Sequence, residues 1–329
     1  MSYEDPWTPA GAAGFDRERD RQVRIAAFEW LSSQCSTHGD VLPLSLLREG
    51  FMVGGRQVHV IGPKGIFKPA VMDLPLSITT APKGPYHDAF GSDNLLRYQY
   101  RRDGPEHPDN VGLRSVMSHH LPLVYFHGLI PGKYMPVWPV FVVRDERESH
   151  TFSVAVDDMA HTSLVGSSER VREDTALRRE YVTVLTRRRL HQRAFRERVL
   201  AAYGHQCALC RLRRDALLDA AHIDPDAEGG EPTVNNGMAL CRLHHAAFDR
   251  FFLGVRPDTR QQSGAGSEPL HIIEVRPDVL EERDGPTLRH AIQELHGRPV
   301  ILPPRSSDYP DLSSLAKRYD RFLEKAVAP

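Results

Sequence analysis

Apolar residues in the first sixty positions recur at helical intervals. In RQVRIAAFEWL, Val23, Ala26, Ala27, Trp30 and Leu31 share one face, which predicts a helix ending at His38-Gly39-Asp40. A shorter helical piece follows at LPLSLLREG, closed by Gly50. RQVHVIG, after the Gly54-Gly55 turn, alternates as a strand does. Two helices and a hairpin of this size fit a winged helix or a lid on the segment that follows, and the lid is the reading preferred. Residues 1–16, rich in Gly, Pro and Ala, read as a disordered leader.

From about residue 60 to 160 the pattern changes to short β-rich runs separated by Gly, Pro and Asp. The clearest are LLRYQY, LPLVYFHG, VWPVFVV and SHTFSVAV. One helix interrupts them at DNVGLRSVMSH, with Asp109 or Asn110 as its cap. The pattern predicts a small curved or barrel-like sheet. Residues 168–203 read as a long Arg-rich helix, in part a linker, and a cysteine- and histidine-bearing motif occupies 205–254. RPDTRQQSGAGSEP reads as a flexible connector. The tail offers a strand (LHIIEV), a helix near 286–296 and a final helix around SSLAKRYDRFLEKAV. No internal repeat is visible. The expected class is α+β, divided at 1–60 (leader and helices), 61–165 (sheet domain), 166–200 (Arg-rich linker), 201–258 (motif domain) and 259–329 (connector and α/β tail).

At 329 residues the chain is long for one core and suggests two domains. No run of about 18 apolar residues exists, so no membrane span is expected. The N-terminus lacks a basic segment followed by an apolar one, and a cytoplasmic location is expected. The net charge of −1 conceals an asymmetry: residues 170–214 hold 13 Arg, no Lys and four acidic residues. Such a run attracts a phosphate backbone, although alone it is more often a solvated helix face. Its position directly before the motif favours the first reading, with Arg187, Arg188, Arg189 and Arg193 as backbone contacts.

Three of the four cysteines cluster. Cys207-x2-Cys210 is followed, after thirty residues, by Cys241-x2-His244. Two such pairs, each on a tight turn, can converge into a closed tetrahedral zinc site that staples a small fold. The bland alternative is buried thiols with an incidental histidine. Cys35 stands alone and reads as a small core residue.

Between the two pairs lies DAAHIDPDAEGGEPTVNNGMALC, and His245 follows the second pair directly. This stretch resembles the HNH nucleases, with their ββα-metal fold. The resemblance rests on His222-Ile223, on Gly229-Gly230, on Asn236 five residues before the third zinc ligand, and on His245. It implies His222 as the general base that activates water and His245 as holder of a catalytic divalent cation, Mg²⁺, Mn²⁺ or Ni²⁺. It also implies Asn236 as a hydrogen-bonding residue that orients the His222 ring or braces the loop opposite. Asn235 competes for that part, but the spacing selects Asn236. Many members carry Asp just before the first His, where this chain has Ala221. Asp249, at i+4 from His245, and Asp219, of the same strand parity as 221, are the candidate replacements.

The run GPYHDAFGSDNLLRYQY, then DNVGLRSV, LPLVYF and GKYMPVWPVFVV, resembles the SRA domain, a PUA-like reader that flips a modified cytosine into a pocket. The resemblance implies Tyr86 and Tyr98 as stacking faces and Asp88 as acceptor for the exocyclic amine. RRDGPEHPDN stands where that family has a Gly-rich stretch. Alternatively, both Tyr are strand aromatics that fill a core. Together the two resemblances imply a modification-dependent restriction endonuclease acting on double-stranded DNA with modified cytosine, possible as a homodimer. The rivals are a nicking or repair nuclease indifferent to modification and a non-catalytic, zinc-stapled DNA-binding regulator.

Overall fold

The structure, a computed structural model, describes residues 15–82, 89–90, 93, 95–101, 104–156, 189–225, 228–258 and 270–327. The chain divides into two compact units, Met1–Leu190 and His191–Pro329. Tyr86, Asp88, Arg187 and Arg188, the leader 1–14 and the whole 168–188 stretch lie outside the described residues, as does most of the connector.

The first unit opens with helix α1 (Arg17–His38), which begins six residues before Val23, the first of its apolar face, because the Asp16 side chain accepts from the Arg19 N–H at 3.0 Å. Gly39, at φ +81°, ends it as expected. Strand β1 (Leu42–Pro43), helix α2 (Leu44–Glu49) and the hairpin of β2 (Phe51–Val53) and β3 (Arg56–Val58) follow. Then come β4 (Ile66–Phe67), β5 (Ser77–Thr80), β6 (Ala89–Phe90), β7 (Leu96–Gln99), α3 (Pro108–Ser118), β8 (Leu123–Ile130), β9 (Lys133–Glu146) and β10 (Thr151–Val156). Seven strands pair in the order β4-β5-β8-β9-β10-β7-β6, and β1 adds to β9. Register shifts interrupt β8–β9 and β9–β10, and bulges of this kind bend strands and curl a sheet. The result is the mixed α+β unit with a curled, half-barrel sheet that the β-rich runs predict.

The α1 face carrying Val23, Ala27, Phe28 and Leu31 shares one core with Leu47, Val58, Met72 and the β8 residues Val124 and Phe126. Cys35 is half-buried against the same core. Helix α3 corrects the expected cap. His107, not Asp109 or Asn110, occupies that position, and its Nδ1 accepts from the Asp109 N–H at 3.1 Å. Pro108 imposes this, since proline suits the first helical position, where no N–H is needed. Asn110 is buried inside the helix and bonds the backbone of Arg101 and Gly104.

The second unit starts in a helix over residues 189–202 (α4) and continues with β11 (Leu218–His222), β12 (Gly237–Cys241), α5 (Arg242–Asp249) and β13 (Leu253–Arg256). Across the connector come β14 (Ile272–Val275), α6 (Pro277–Glu281), α7 (Pro286–Ala291) and α8 (Leu312–Val327). β11 and β12 pair antiparallel, with His222 opposite Gly237 and Leu218 opposite Cys241. β13 pairs with β14, so the tail closes onto the motif. One core gathers Phe195 and Val199 of α4, the β11–β12 ladder, Phe248 of α5, and Leu295 and Leu315 of the tail. No helix among the described residues is long and apolar enough to cross a membrane.

In the first unit Asp20 and Arg24 form an ion pair at 2.6 Å, each 2% exposed, and Arg24 also donates to the carbonyls of Pro75 and Pro122. Removing the carboxylate strands a buried cation, a change that typically costs about 3–5 kcal/mol. Asp20→Ala is expected to lower the stability of this unit by that amount, as read by denaturant unfolding. A loss under about 1 kcal/mol would show that the two carbonyls satisfy Arg24 unaided.

Candidate active site

The site begins with a tight turn. Cys207 donates its N–H to the Leu212 carbonyl at 3.0 Å and accepts from Arg211 N–H at 3.0 Å, with Arg211 at φ +64°. The turn is docked by Ala208 N–H on Ala239 O at 2.7 Å, which brings Cys207 and Cys210 beside the end of β12. There Cys241 caps α5, and His244 lies one turn on. The four ligand atoms of Cys207, Cys210, Cys241 and His244 all lie within 4.8 Å of one another. The neighbouring thiols of Cys207 and Cys210 hold the Cys241 thiol well below its ordinary value, while contacts with Cys207 and Cys241 push the Cys210 thiol up. His244 Nδ1 faces the sulfurs of Cys241 (3.2 Å) and Cys207 (3.4 Å), while Nε2 lies 2.7 Å from the Ala291 carbonyl of α7. A proton on Nε2, donated to that carbonyl, leaves Nδ1 as the ligating atom. Three sulfurs and one imidazole nitrogen at this mutual spacing can hold a metal ion.

The next residue, His245, points elsewhere. Its Nδ1 lies 3.5 Å from Asp219 and its Nε2 3.3 Å from Asp249. Contacts with Asp219 and Asp249 outweigh burial and push the imidazole up to about 9. Burial pushes both carboxylates up, but the facing imidazole brings each below its ordinary value. Ala221 is fully buried in the core. The carboxylates beside His245 thus come from both candidate positions, one on each ring nitrogen.

His222 ends β11 with its ring stacked on Phe195 of α4, centroids 4.0 Å apart and planes 18° from parallel. The stacking helix can approach because Gly237 faces it, where a Cβ would meet Val199 at 2.5 Å and Phe195 at 2.9 Å. Asn236 is 7% exposed, and its side chain is committed to the loop after His222. Its Nδ2 donates to Asp224 O (3.0 Å) and Glu231 O (2.9 Å), and its Oδ1 accepts from Asp224 N–H (2.8 Å). Of the two parts expected of Asn236, these bonds are those of a brace. Gly230 completes the loop, since a Cβ there would lie 2.1 Å from Asp224 O. Asn235 turns to the tail, donating to Ser307 O and Tyr309 O at 2.8 Å.

His222, His245 and Asp249 share a cleft of about 560 Å³ with Arg318, Arg321 and Lys325 of α8. Sequence reasoning missed the α8 residues, and also Phe195 and Arg196. Arg196 bonds the carbonyls of Asp215 and Leu218 and lies 3.8 Å from Asp219. No spacing could have flagged Arg318, which is 69 residues from Asp249. In the Arg-rich run, Arg189 pairs with Asp40 at 2.6 Å and Arg193 is half-buried. In the first unit, Tyr98 is 5% exposed on β7, with its hydroxyl 3.4 Å from Thr79 O.

Among solved structures, a modification-dependent restriction endonuclease, TagI, aligns at 15% identity and a TM-score of 0.27, over 75% of this chain and 81% of its own. The type IV phosphorothioation-dependent restriction endonuclease ScoMcrA aligns at 12% identity and a TM-score of 0.22, over 81% of this chain and 56% of its own. Scores this low carry no argument about fold or activity. No curated protein matches. Residues 207–256, however, match the profile of the HNH endonuclease family, and that span covers β11, β12, α5, β13 and all four cluster residues. With its paired strands and its following helix, the second unit carries an HNH endonuclease domain, and the chain is a DNA-cleaving hydrolase.

Proposed function

We propose that the chain is a modification-dependent DNA restriction endonuclease whose HNH domain cuts with one catalytic divalent cation and folds around a structural zinc. The observation that carries the cleavage reading is the convergence of His222, His245 and Asp249 on one cleft. A DNA-binding regulator would not require that arrangement.

His222 acts as general base. Phe195 holds its ring plane, and the Asn236 brace holds the loop that follows it. A neutral imidazole at that place can take a proton from water. His245 and Asp249 hold the cation: both residues line the cleft, and a nitrogen-and-oxygen donor pair suits Mg²⁺, Mn²⁺ or Ni²⁺. When bound, that cation supplies a Lewis acid that offsets charge on the leaving oxygen. Asp219 does not line the cleft, and on Nδ1 it orients the ring, as carboxylates behind metal-binding histidines do. His245 accepts a cation only after giving up the proton its two carboxylates stabilise. Zinc is the ion proposed for the Cys207, Cys210, Cys241 and His244 cluster, because a closed three-thiolate, one-imidazole set favours it.

The reading of modified cytosine rests on the SRA resemblance and the curled sheet of the first unit, with Tyr86, Asp88 and Tyr98 as its pocket. Double-stranded DNA is its substrate, two chains acting together would cut both strands, and the cytoplasm is its place of action. Arg187, Arg188, Arg189 and Arg193 belong to this proposal as backbone contacts; for Arg189 this requires release of Asp40. A second reading, an HNH nuclease indifferent to modification, is favoured by the burial of Tyr98 and its hydroxyl's bond to Thr79.

Digestion of matched plasmids with and without cytosine methylation, in Mg²⁺, Mn²⁺, Ni²⁺ or EDTA, separates the two. Preferential cutting of the methylated plasmid is expected, with none in EDTA; equal cutting of both establishes the second reading. His222→Ala is expected to slow cleavage on the order of 10²–10⁴-fold while DNA binding by gel shift stays near normal. Near-normal cutting by that variant would remove His222 from the role of base. Cys207→Ser or Cys241→Ser is expected to release the zinc and unfold the second unit, because closed zinc sites contribute directly to folding. Elemental analysis that finds no zinc in wild-type protein purified without chelator would refute the structural ion.

A further inference from the structure

The HNH profile ends at residue 256, yet the cleft does not. Arg318 of α8 is 6% exposed and lies between the two arms of the site. One guanidinium nitrogen donates to the carbonyl of Ile223, the residue directly after His222, at 3.1 Å. The other donates to the Phe248 carbonyl at 2.9 Å and lies 3.5 Å from the Asp249 carboxylate, one turn beyond His245. The planar group lies over the Phe248 ring at 3.8 Å, with Phe251 at 5.0 Å. Its Nε has no acceptor among the described residues.

A residue kept only for packing would not look like this. Removing a guanidinium from water costs several kcal/mol, and an orphaned donor adds to that cost. An apolar side chain of similar size usually stabilises a core as well or better. What an apolar residue cannot do is hold two separate backbone segments through a rigid, charged fork. The fork's targets are the strand end that presents His222 and the negative, C-terminal end of the helix that presents His245 and Asp249. Neighbours on the same helix reinforce the clasp: Lys317 pairs with Asp224 at 3.2 Å, and Arg321 pairs with Glu228. Asn235 and Asp311 tie the segment leading into α8 to the same loop region.

We propose that α8 completes the nuclease site, with Arg318 as a positioning residue that sets the distance between the His222 arm and the His245–Asp249 arm. It acts through Asp249 and the Ile223 and Phe248 carbonyls. This inference rests on the reading of His245 and Asp249 as the cation-holding pair.

The test uses Arg318→Lys in the full chain, with the cysteine cluster loaded with zinc. Lysine keeps the charge but offers one nitrogen, which cannot span both arms. Second-site Mn²⁺ binding, followed by electron paramagnetic resonance without DNA, is expected to weaken about 10–100-fold, the usual effect of removing a partner behind a metal ligand. The turnover number is expected to fall by a similar factor, with KM for DNA within twofold. Phe322→Leu, on the same helix but packed against Gly254, serves as the stability control. At a temperature where both variants are folded, it is expected to bind Mn²⁺ as the wild type does. Wild-type Mn²⁺ affinity and turnover in Arg318→Lys would overturn the proposal, as would equal Mn²⁺ losses in the two variants. A raised KM with unchanged Mn²⁺ affinity would also overturn it and make Arg318 a phosphate contact. In each of those cases DNA is still cut by the wild type and far more slowly by His222→Ala, so the HNH reading stands. A wild-type chain that neither binds a second divalent ion nor cuts DNA would overturn that reading, and this inference with it.

Discussion

Everything in the second unit hangs on how one short helix divides two adjacent histidines. Successive helical residues project about 100° apart, so His244 and His245 cannot serve the same site. His244 turns inward, with one ring nitrogen on the cysteine sulfurs and the other on the Ala291 carbonyl. That double attachment sets the rotation of α5 about its own axis. Once the rotation is set, His245 can only face the strand carrying Asp219 and the turn carrying Asp249. The cluster is therefore more than a staple: it aims the residue beside it.

The same logic extends to His222. Its backbone is held by the ladder to Gly237, its ring by Phe195, and the loop beyond it by Asn236. Each support comes from a different element, so the ring's position is over-determined, as the proposed role of general base requires. Ala221 changes the supply of carboxylates without emptying the site. Asp219 on the strand and Asp249 on the helix flank His245 from two sides, one on each ring nitrogen.

Much of this was legible in the sequence because the relevant constraints are local. Cys-x2-Cys and Cys-x2-His encode tight turns, His245 follows His244, and Asn236 stands a set number of residues before Cys241. The helical face of α1 and the β-rich runs after residue 60 were readable for the same reason: each shows its period within a dozen residues. The cap of α3 was misread because Pro108 settles the first turn, and asparagine's preference for caps carries no information about burial. The contribution of α8 was invisible, since no periodicity links Arg318 to Ile223 and Phe248 across 95 and 70 positions. Long-range clasps are made by shape, and a single chain's residue order does not display shape. The same limit applies to β13, whose four residues become a strand only by pairing with β14.

That pairing has a consequence for modularity. The stretch recognised as an HNH domain ends with β13, an edge whose hydrogen-bonding partner is encoded beyond a connector of more than a dozen residues. Cut out at residue 256 and grafted onto another protein, the domain would present a bare strand edge and uncover Leu253 and Val255, which are 1% and 3% exposed in the intact chain. It would also lose the Ala291 carbonyl that holds His244. The unit that can move between proteins in recombination is thus the whole segment through α8, and the borders of sequence similarity understate the borders of the working part.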